Sequence, residues 1–175
     1  MNCEMENDRN LNDTSCRFAA NGIKYRKAVL SDAEILAKIR SFFLKEINNV
    51  TSEDERIVVE QASLEYFTNA LSDSTFISWI ALDNDLIIAT SGLSFSVVPP
   101  SFNILDGRVA YIMNMYTFPN YRHRGIATEL FKKIVEEAKC LGYRKMTLNA
   151  TDEGKSLYEK HGFKEVHNEM DFLVQ

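Results

Sequence analysis

The sequence predicts one α/β domain, built on a mixed, mostly antiparallel sheet of about seven strands with about four flanking helices. With 175 residues, of which 45% are hydrophobic, the chain can form one domain with its own core. Strand-like and helical patterns follow one another in the order β, α, α, β, β, β, α, β, α, β, β. The single β-α-β crossover in this order predicts one parallel strand pair in an otherwise antiparallel sheet.

Composition excludes several classes of protein. A net charge of -5 argues against general affinity for nucleic acid, which needs a basic face. The three cysteines, Cys3, Cys16 and Cys140, are odd in number and form no metal-binding cluster, so we expect reduced thiols and no metal. No signal peptide and no apolar run of about 20 residues is visible. The expectation is a soluble cytoplasmic protein without a membrane partner.

The N-terminal part predicts an extension followed by the domain. Residues 1–22 are polar and lack periodicity, so we expect a flexible extension, with the single domain spanning residues 23–175. Residues 23–28 alternate as a short strand. Ser31 and Glu34 have the spacing of a capping box, in which each side chain satisfies a backbone N–H at the start of a helix.

The middle of the chain predicts a helix and three strands. The helix spans about residues 52–71. Two strands, residues 76–82 and 86–97, flank the turn Asp83-Asn84-Asp85, whose composition is typical of a hairpin. A third long strand at residues 108–118 ends at a proline.

The last third predicts the crossover and a final hairpin. A strongly amphipathic helix covers about residues 125–140. The next strand, residues 145–149, should lie parallel to the third long strand. A short helix at residues 156–161 then leads to two strands, residues 165–167 and 170–174.

The turn before the amphipathic helix carries the most specific motif, Arg122-x-x-Gly125-x-Ala127. The first N–H groups of a helix lack intrahelical partners, and the helix dipole adds positive charge there. Gly125 removes a side chain that would block a phosphate, and Arg122 and Arg124 add charged donors. The segment therefore predicts a pyrophosphate site, although a tight turn with two solvated arginines explains the same residues. It is neither a Walker A loop nor a dinucleotide loop.

Two motifs in order resemble the GNAT superfamily of N-acetyltransferases. That family's coenzyme A signature, Gln/Arg-x-x-Gly-x-Gly/Ala, matches at Arg122, Gly125 and Ala127. Residues 157–163, Leu-Tyr-Glu-Lys-His-Gly-Phe, are similar to the family's common Leu-Tyr-Glu-Lys-x-Gly-Phe segment. The order of helices and strands resembles that of the family over residues 23–175. The resemblance is specific to the family only over residues 111–163, which contain both motifs.

The resemblance implies acetyl-CoA as co-substrate and no metal. It implies a sheet that opens beside the strand at residues 108–118, with a β-bulge near Met115. The pantetheine arm would pair with that strand, and the pyrophosphate would rest on the following turn and helix. The implied binding residues are Tyr116, Thr117, Phe118, Arg122, His123, Arg124, Gly125, Ile126, Ala127, Thr128, Asn149 and Thr151. At two positions the family often has Asn and Ala, and this chain has Thr151 and Gly154 instead. We expect the nearby Asn149 to take the place of the family's Asn.

The resemblance also suggests catalytic residues. Tyr158 would protonate the departing sulfur as a general acid; alternatively, it packs under the coenzyme. Some members carry a Glu on this strand that acts as the general base. The equivalent position here is near Tyr111, where the sequence has no acidic residue. Asn114 is a second catalytic candidate, because we expect Asn114 and Tyr116 to share a face with Ile112 and to line the site.

The sequence does not identify the general base that would accept the proton of the amine. An amide such as that of Asn114 cannot act as a base, so a water relay or an acceptor that arrives neutral is expected. Glu46, Glu53 and Glu55 belong either to the acceptor wall or to solvated helix surface.

The function that follows is transfer of an acetyl group to a primary amine of a small molecule or peptide by direct attack. A non-catalytic acyl-CoA sensor of the same fold is the alternative, and a generic phosphate-binding domain is a third. Homodimers are common in such families, so a homodimer is also expected.

Overall fold

One five-stranded sheet organises the part of the chain that the structure describes. The structure is a computed structural model and describes residues 22–166, Met170 and Phe172. The strands are β1 (Lys24–Lys27), β2 (Phe76–Asp83), β3 (Leu86–Val97), β4 (Arg108–Thr117) and β5 (Lys145–Leu148). They lie in the order β1-β2-β3-β4-β5, and β4 and β5 form the parallel pair that the crossover predicts.

Four helices cover the two faces of this sheet. They are α1 (Ala33–Ile47), α2 (Glu53–Ser72), α3 (Ile126–Cys140) and α4 (Asp152–Lys160). Helices α1 and α2 pack on one face in a cluster that contains Leu36, Phe67 and Ile80. Helices α3 and α4 pack on the other face in a cluster that contains Phe131 and Tyr158. The mixed sheet with four helices is therefore confirmed.

The predicted seven strands are more than the structure shows. The strands expected at residues 165–167 and 170–174 fall largely outside the described residues, and the described residues there lie in no strand. The predicted extension, residues 1–22, also lies outside the described residues except for Gly22. Within the described ranges, no helix is both long and apolar enough to cross a membrane.

The predicted capping box at the start of α1 is wrong. Residues Leu30–Asp32 form a 3-10 turn, which places Asp32 instead of Ser31 at the helix start. The Asp32 carboxylate accepts hydrogen bonds from both terminal nitrogens of Arg26, at 2.6 and 2.9 Å, and from the Val29 N–H at 2.8 Å. A partly buried ion pair thus joins β1 to the start of α1, where the sequence predicts a local cap.

Side-chain caps set the starts of α2 and α4. Ser52 caps α2 as its predicted boundary suggests, since its hydroxyl accepts from the Glu55 N–H at 3.3 Å. Helix α4 begins at Asp152 instead of Ser156, because the Thr151 hydroxyl accepts from the Gly154 N–H at 3.3 Å. The glycine inside α4 hides this boundary in the sequence, because glycine lowers helix propensity.

Strand β4 changes its pairing halfway along its length. Opposite β3, Met113 pairs with Gly92 and Tyr116 with Thr90, so β4 carries one extra residue. Asn114 within this bulge has a φ of 52°, a left-handed conformation that Asn tolerates. The predicted bulge near Met115 is confirmed. On its other edge, β4 pairs with β5 only as far as Ile112, which leaves the rest of that edge outside the ladder.

We expect the Arg26–Asp32 ion pair to make the free energy of unfolding depend on pH. Burial alone would raise the pKa of Asp32, but the hydrogen bonds from Arg26 and Val29 and the charge of Arg26 hold it below its ordinary value of 3.8. Its contribution is therefore present above about pH 4 and is lost as pH falls through the folded-state pKa. Asp32→Asn should lower the free energy of unfolding by about 2 kcal/mol at pH 6.

Urea unfolding at pH 6 and pH 3 measures this difference. The gap between wild type and Asp32→Asn should shrink at pH 3. Asp85→Asn, at the exposed turn between β2 and β3, is the control and should change little. A gap for Asp32→Asn that stays constant or widens at pH 3 would contradict this explanation.

Candidate functional site

The start of α3 presents open backbone N–H groups. Gly125 precedes the helix with a φ of 79°, and no side chain caps the first turn. The first N–H groups of a helix have no intrahelical partner, so those after Gly125 are available to a ligand. A Cβ built on Gly125 would meet nothing within 4 Å, so the space beside this backbone is open. Such a cradle suits an anion.

The turn before α3 exposes its basic side chains. Pro119–Tyr121 forms a 3-10 turn after β4, and His123 has a left-handed φ of 60°. Arg124 is exposed, and its guanidinium carbon lies 5.2 Å from the centre of the Tyr121 ring. Next along the chain, Ile126 is buried under the sheet while Ala127 and Thr128 keep partial exposure. The predicted anion-binding residues are therefore brought together at one corner.

Arg122 ties this turn to β4 and α1. Its Nε donates to the Thr117 carbonyl at 3.0 Å, and its Nη2 donates to both carboxylate oxygens of Glu46 at 3.1 and 3.3 Å. The Tyr116 hydroxyl also donates to Glu46, at 3.4 Å. Burial, and then the negative charge of Glu46, raise the pKa of Tyr116. Phe118 packs its ring edge-on against Tyr116, with the ring centres 5.4 Å apart.

Among the three acidic residues considered for the acceptor wall, the structure places Glu46 at this corner. Glu53 instead accepts from Lys45 at 2.8 Å and from Arg56 at 2.6 Å, within the α1–α2 pair. Glu55 is exposed on the first turn of α2. The sequence could not separate the three, because the contact of Glu46 joins residues 76 positions apart.

The bulge on β4 divides the residues that were expected to share a face. Ile112 packs in the cluster under α3, whereas Tyr116 packs in the cluster under α1 and α2. The predicted common face is wrong for Ile112, because the extra residue in the bulge reverses the alternation, whereas Asn114 and Tyr116 both contact the α1 side. Asn114 is buried, and its side-chain oxygen accepts from Arg40 Nη1 on α1 at 2.5 Å. Its carbonyl accepts from the Thr90 hydroxyl at 2.9 Å.

Tyr158 belongs to the cluster that packs α3 and α4 against the sheet. Its cluster includes Ile112 and Leu148, the last paired residues of the two strands. Its ring centre lies 5.3 Å from that of Phe131. A Cβ at Gly154 would stand 3.1 Å from the Tyr158 ring, so the glycine found where the family often has Ala gives the ring its room.

The Tyr158 hydroxyl has no hydrogen-bond partner within the described residues. No completely buried side-chain oxygen in that part of the chain lacks a partner, so this oxygen is not fully enclosed although the residue is buried. Burial raises the pKa of Tyr158 above its ordinary value of 10.0, so the group carries its proton at neutral pH.

The two remaining predicted residues follow β5. Asn149 is exposed directly after the strand, so its amide is available to a ligand. Thr151 uses its hydroxyl to cap α4, so only its backbone and methyl group remain to contact a ligand. Within residues 22–166, no three His, Cys, Asp or Glu side chains lie close enough together to hold a metal ion.

Comparison with known proteins adds to this geometry. A family model described as "Acetyltransferase (GNAT) family" matches residues 44–163. A crystal structure of a predicted acetyltransferase with acetyl-CoA, from Clostridium acetobutylicum, is 34% identical to this chain, with a TM-score of 0.79. The alignment covers 86% of this chain and 96% of that one. No protein of curated function has a sequence similar enough to match.

More distant structures share the fold. A GCN5-related N-acetyltransferase from Ralstonia eutropha JMP134 is 23% identical, with a TM-score of 0.79 over 87% of this chain and 99% of that one. Glucosamine-6-phosphate N-acetyltransferase from Arabidopsis thaliana is 18% identical, with a TM-score of 0.62 over the same shares. The family match spans more than half of the chain, and the first of these structures exceeds 30% identity over most of both chains. The chain therefore belongs to the GNAT family of acetyltransferases.

Proposed function

We propose that this protein transfers an acetyl group from acetyl-CoA to a primary amine of a small molecule or peptide. The observation that carries the proposal is the uncapped start of α3 at Gly125, which lies after the unpaired edge of β4. Tyr158 shares a cluster with Ile112 and Leu148, the last paired residues of β4 and β5, and its hydroxyl has no hydrogen-bond partner within the described residues. In this proposal the start of α3, the edge of β4 and Tyr158 would serve one coenzyme site as anion cradle, strand partner and proton donor.

The residues present fit acetyl-CoA. The open N–H groups from Gly125 to Thr128 would hold the diphosphate, and exposed His123 and Arg124 would flank it. The edge of β4 at Tyr116, Thr117 and Phe118 would pair with the pantetheine amides, as an added strand pairs with a sheet edge. Asn149 would contact the same arm from the β5 side. Binding of acetyl-CoA by the structure from Clostridium acetobutylicum supports this assignment.

Arg122 has a double role in this proposal. Its bond to the Thr117 carbonyl holds the end of β4 against the turn. Its second nitrogen is occupied by Glu46 in an exposed ion pair, which contributes little in water. A diphosphate would compete with Glu46 for this nitrogen at small cost, because an exposed pair is weak and reversible.

Acetyl-CoA supplies an activated acetyl thioester. In the reaction, the amine nitrogen forms the new bond to the acetyl carbon, the carbon–sulfur bond breaks, the amine loses one proton and the sulfur gains one. Tyr158 would give its proton to the sulfur. The bulge at Asn114 leaves backbone groups outside the ladder, and these are the expected donors to the developing oxyanion. Strand β4 carries no acidic residue, so the amine proton would leave to water.

Thiol release with an amine panel tests the function. Purified protein with acetyl-CoA should release thiol above background with at least one class among amino acids, peptides, polyamines and aminoglycosides. Titration calorimetry with acetyl-CoA is measured alongside. Tight binding without turnover on any amine would instead support an acyl-CoA sensor, and absence of binding would contradict both readings.

Substitution at Gly125 should separate coenzyme binding from folding. The positive φ makes any L side chain cost about 1–2 kcal/mol, and the new methyl would enter the open space beside the helix start. Gly125→Ala should therefore weaken acetyl-CoA binding by at least about tenfold in calorimetry.

Gly142→Ala is the matched control, because Gly142 has a φ of 82° at the opposite end of the same helix. It should lower the melting temperature by a similar amount and leave acetyl-CoA affinity unchanged. Equal loss of affinity in both variants, or none in either, would argue against a diphosphate at Gly125.

Tyr158→Phe tests the proton donor. We expect kcat to fall about 100-fold under saturating substrates while the Kd for acetyl-CoA stays within about threefold, because a general acid acts on the transition state. Since its raised pKa keeps Tyr158 protonated, wild-type kcat should not decline between pH 7 and about pH 10 through loss of this proton.

Tyr143→Phe serves as the control. Tyr143 stacks on Phe95, with ring centres 4.7 Å apart, on the same face of the sheet. This variant should keep wild-type kcat. An unchanged kcat in Tyr158→Phe would remove Tyr158 from the proton-transfer role and leave it a packing residue.

A further inference from the structure

Arg40 points from α1 to the bulge of β4. The side chain is half-buried, and its Nη1 donates to the side-chain oxygen of Asn114 at 2.5 Å. Asn114 is 6% exposed, so this hydrogen bond lies at the inner end of the contact between α1 and the sheet. Its acceptor is a neutral amide, which satisfies one nitrogen but does not compensate the positive charge.

Two other partly buried arginines of the described chain have carboxylate partners: Arg26 pairs with Asp32, and Arg56 with Glu53 and Glu60. Arg108 instead donates to the Leu141 carbonyl and lies over the Tyr143 ring. Within the described residues, Arg40 forms no ion pair with any Asp or Glu. The absence is informative, because a guanidinium withdrawn from water without a counter-charge is costly.

The groups around Arg40 are hydrogen-bonding and uncharged. Burial lowers the pKa of Arg40, while the phenols of Tyr66 and Tyr111 act in the opposite direction. Tyr66 is 43% exposed on α2, and Tyr111 stands on β4 before the bulge. A positive charge, two phenols and a buried amide therefore meet on the α1–α2 side of β4. Nη2 and Nε of Arg40 remain available as donors, since Asn114 uses only Nη1.

We propose that Arg40 binds a carboxylate of the acceptor, so that the substrate is a small amine that also carries a carboxylate, such as an amino acid. The inference rests on the proposed acetyl transfer and deepens it. A guanidinium presents parallel donors that match a carboxylate, and such charge-assisted bonds are stronger than neutral ones. Because Arg40 contacts the bulge residue, a carboxylate on Arg40 would bring a nearby amine to the place where β4 opens.

Matched acceptors test this proposal. Thiol release is measured with each standard amino acid and with its carboxamide, which keeps the amine and the side chain but removes the charge. For the acceptors that are used, kcat/KM should be at least about tenfold higher for the acid than for the amide. In Arg40→Gln this preference should disappear, through a rise in KM for the acid with little change for the amide.

Controls separate recognition from support of the bulge. Arg40→Lys keeps the charge and should retain part of the preference. Lys38→Gln removes a charge from an exposed position of the same helix and should leave the preference intact. If Arg40→Gln lowers kcat for acids and amides alike, Arg40 only holds Asn114 in place and the proposal is wrong.

Binding distinguishes failure of this inference from failure of the proposed function. Amino acids and their amides are titrated calorimetrically into protein saturated with coenzyme A. If no amine is turned over but acids bind better than amides, and Arg40→Gln removes that difference, the site stands and acetyl transfer does not. Equal binding or equal turnover of acids and amides by the wild type overturns the carboxylate site.

Discussion

The incomplete pairing of β4 with β5 is the constraint on which the rest of this site depends. The two strands share hydrogen bonds only through Ile112 and Leu148, and beyond that point one edge of β4 has no strand partner in the described chain. A sheet edge is a template for further hydrogen bonds. Tyr158 packs in the cluster that contains the last paired residues of the two strands.

The bulge distributes the functions of β4 between the two faces of the sheet. Before it, Ile112 packs under α3; after it, Tyr116 packs under α1 and α2. At the bulge itself, Asn114 is held from both sides, by Arg40 through its side chain and by Thr90 through its carbonyl. These two bonds hold Asn114 in the left-handed conformation that this residue type tolerates.

Local signals explain what the sequence predicts well. The bounds of α3 are met to within one residue, because an amphipathic stripe, a glycine before it and a glycine after it all agree. The open N–H groups at the start of α3 could be predicted from the same local signals, because they require only Gly125 and the helix that follows. The predicted start of α4 and the predicted capping box of α1 were wrong because the local signals were ambiguous. A glycine lies inside α4, and a 3-10 turn precedes α1.

Long-range contacts explain what the sequence misses. Arg40 meets Asn114 across 74 positions, and Glu46 meets Arg122 across 76. Nothing in the periodicity of α1 separates these two side chains from its other polar residues, because their role depends on how α1 crosses β4. The common face expected for Ile112 and Tyr116 failed because a bulge reverses side-chain alternation, although the bulge itself was expected.

In the proposed function, the backbone N–H groups at the start of α3 bind the diphosphate of coenzyme A. Amide NMR of the intact protein can detect this contact by titration with coenzyme A and, separately, with pantetheine, which lacks the diphosphate. We expect coenzyme A to shift the Gly125, Ile126 and Ala127 amide resonances strongly, whereas pantetheine shifts β4 resonances and leaves these three unchanged. If coenzyme A binds and leaves the three amide resonances unmoved, the diphosphate does not bind at the start of α3.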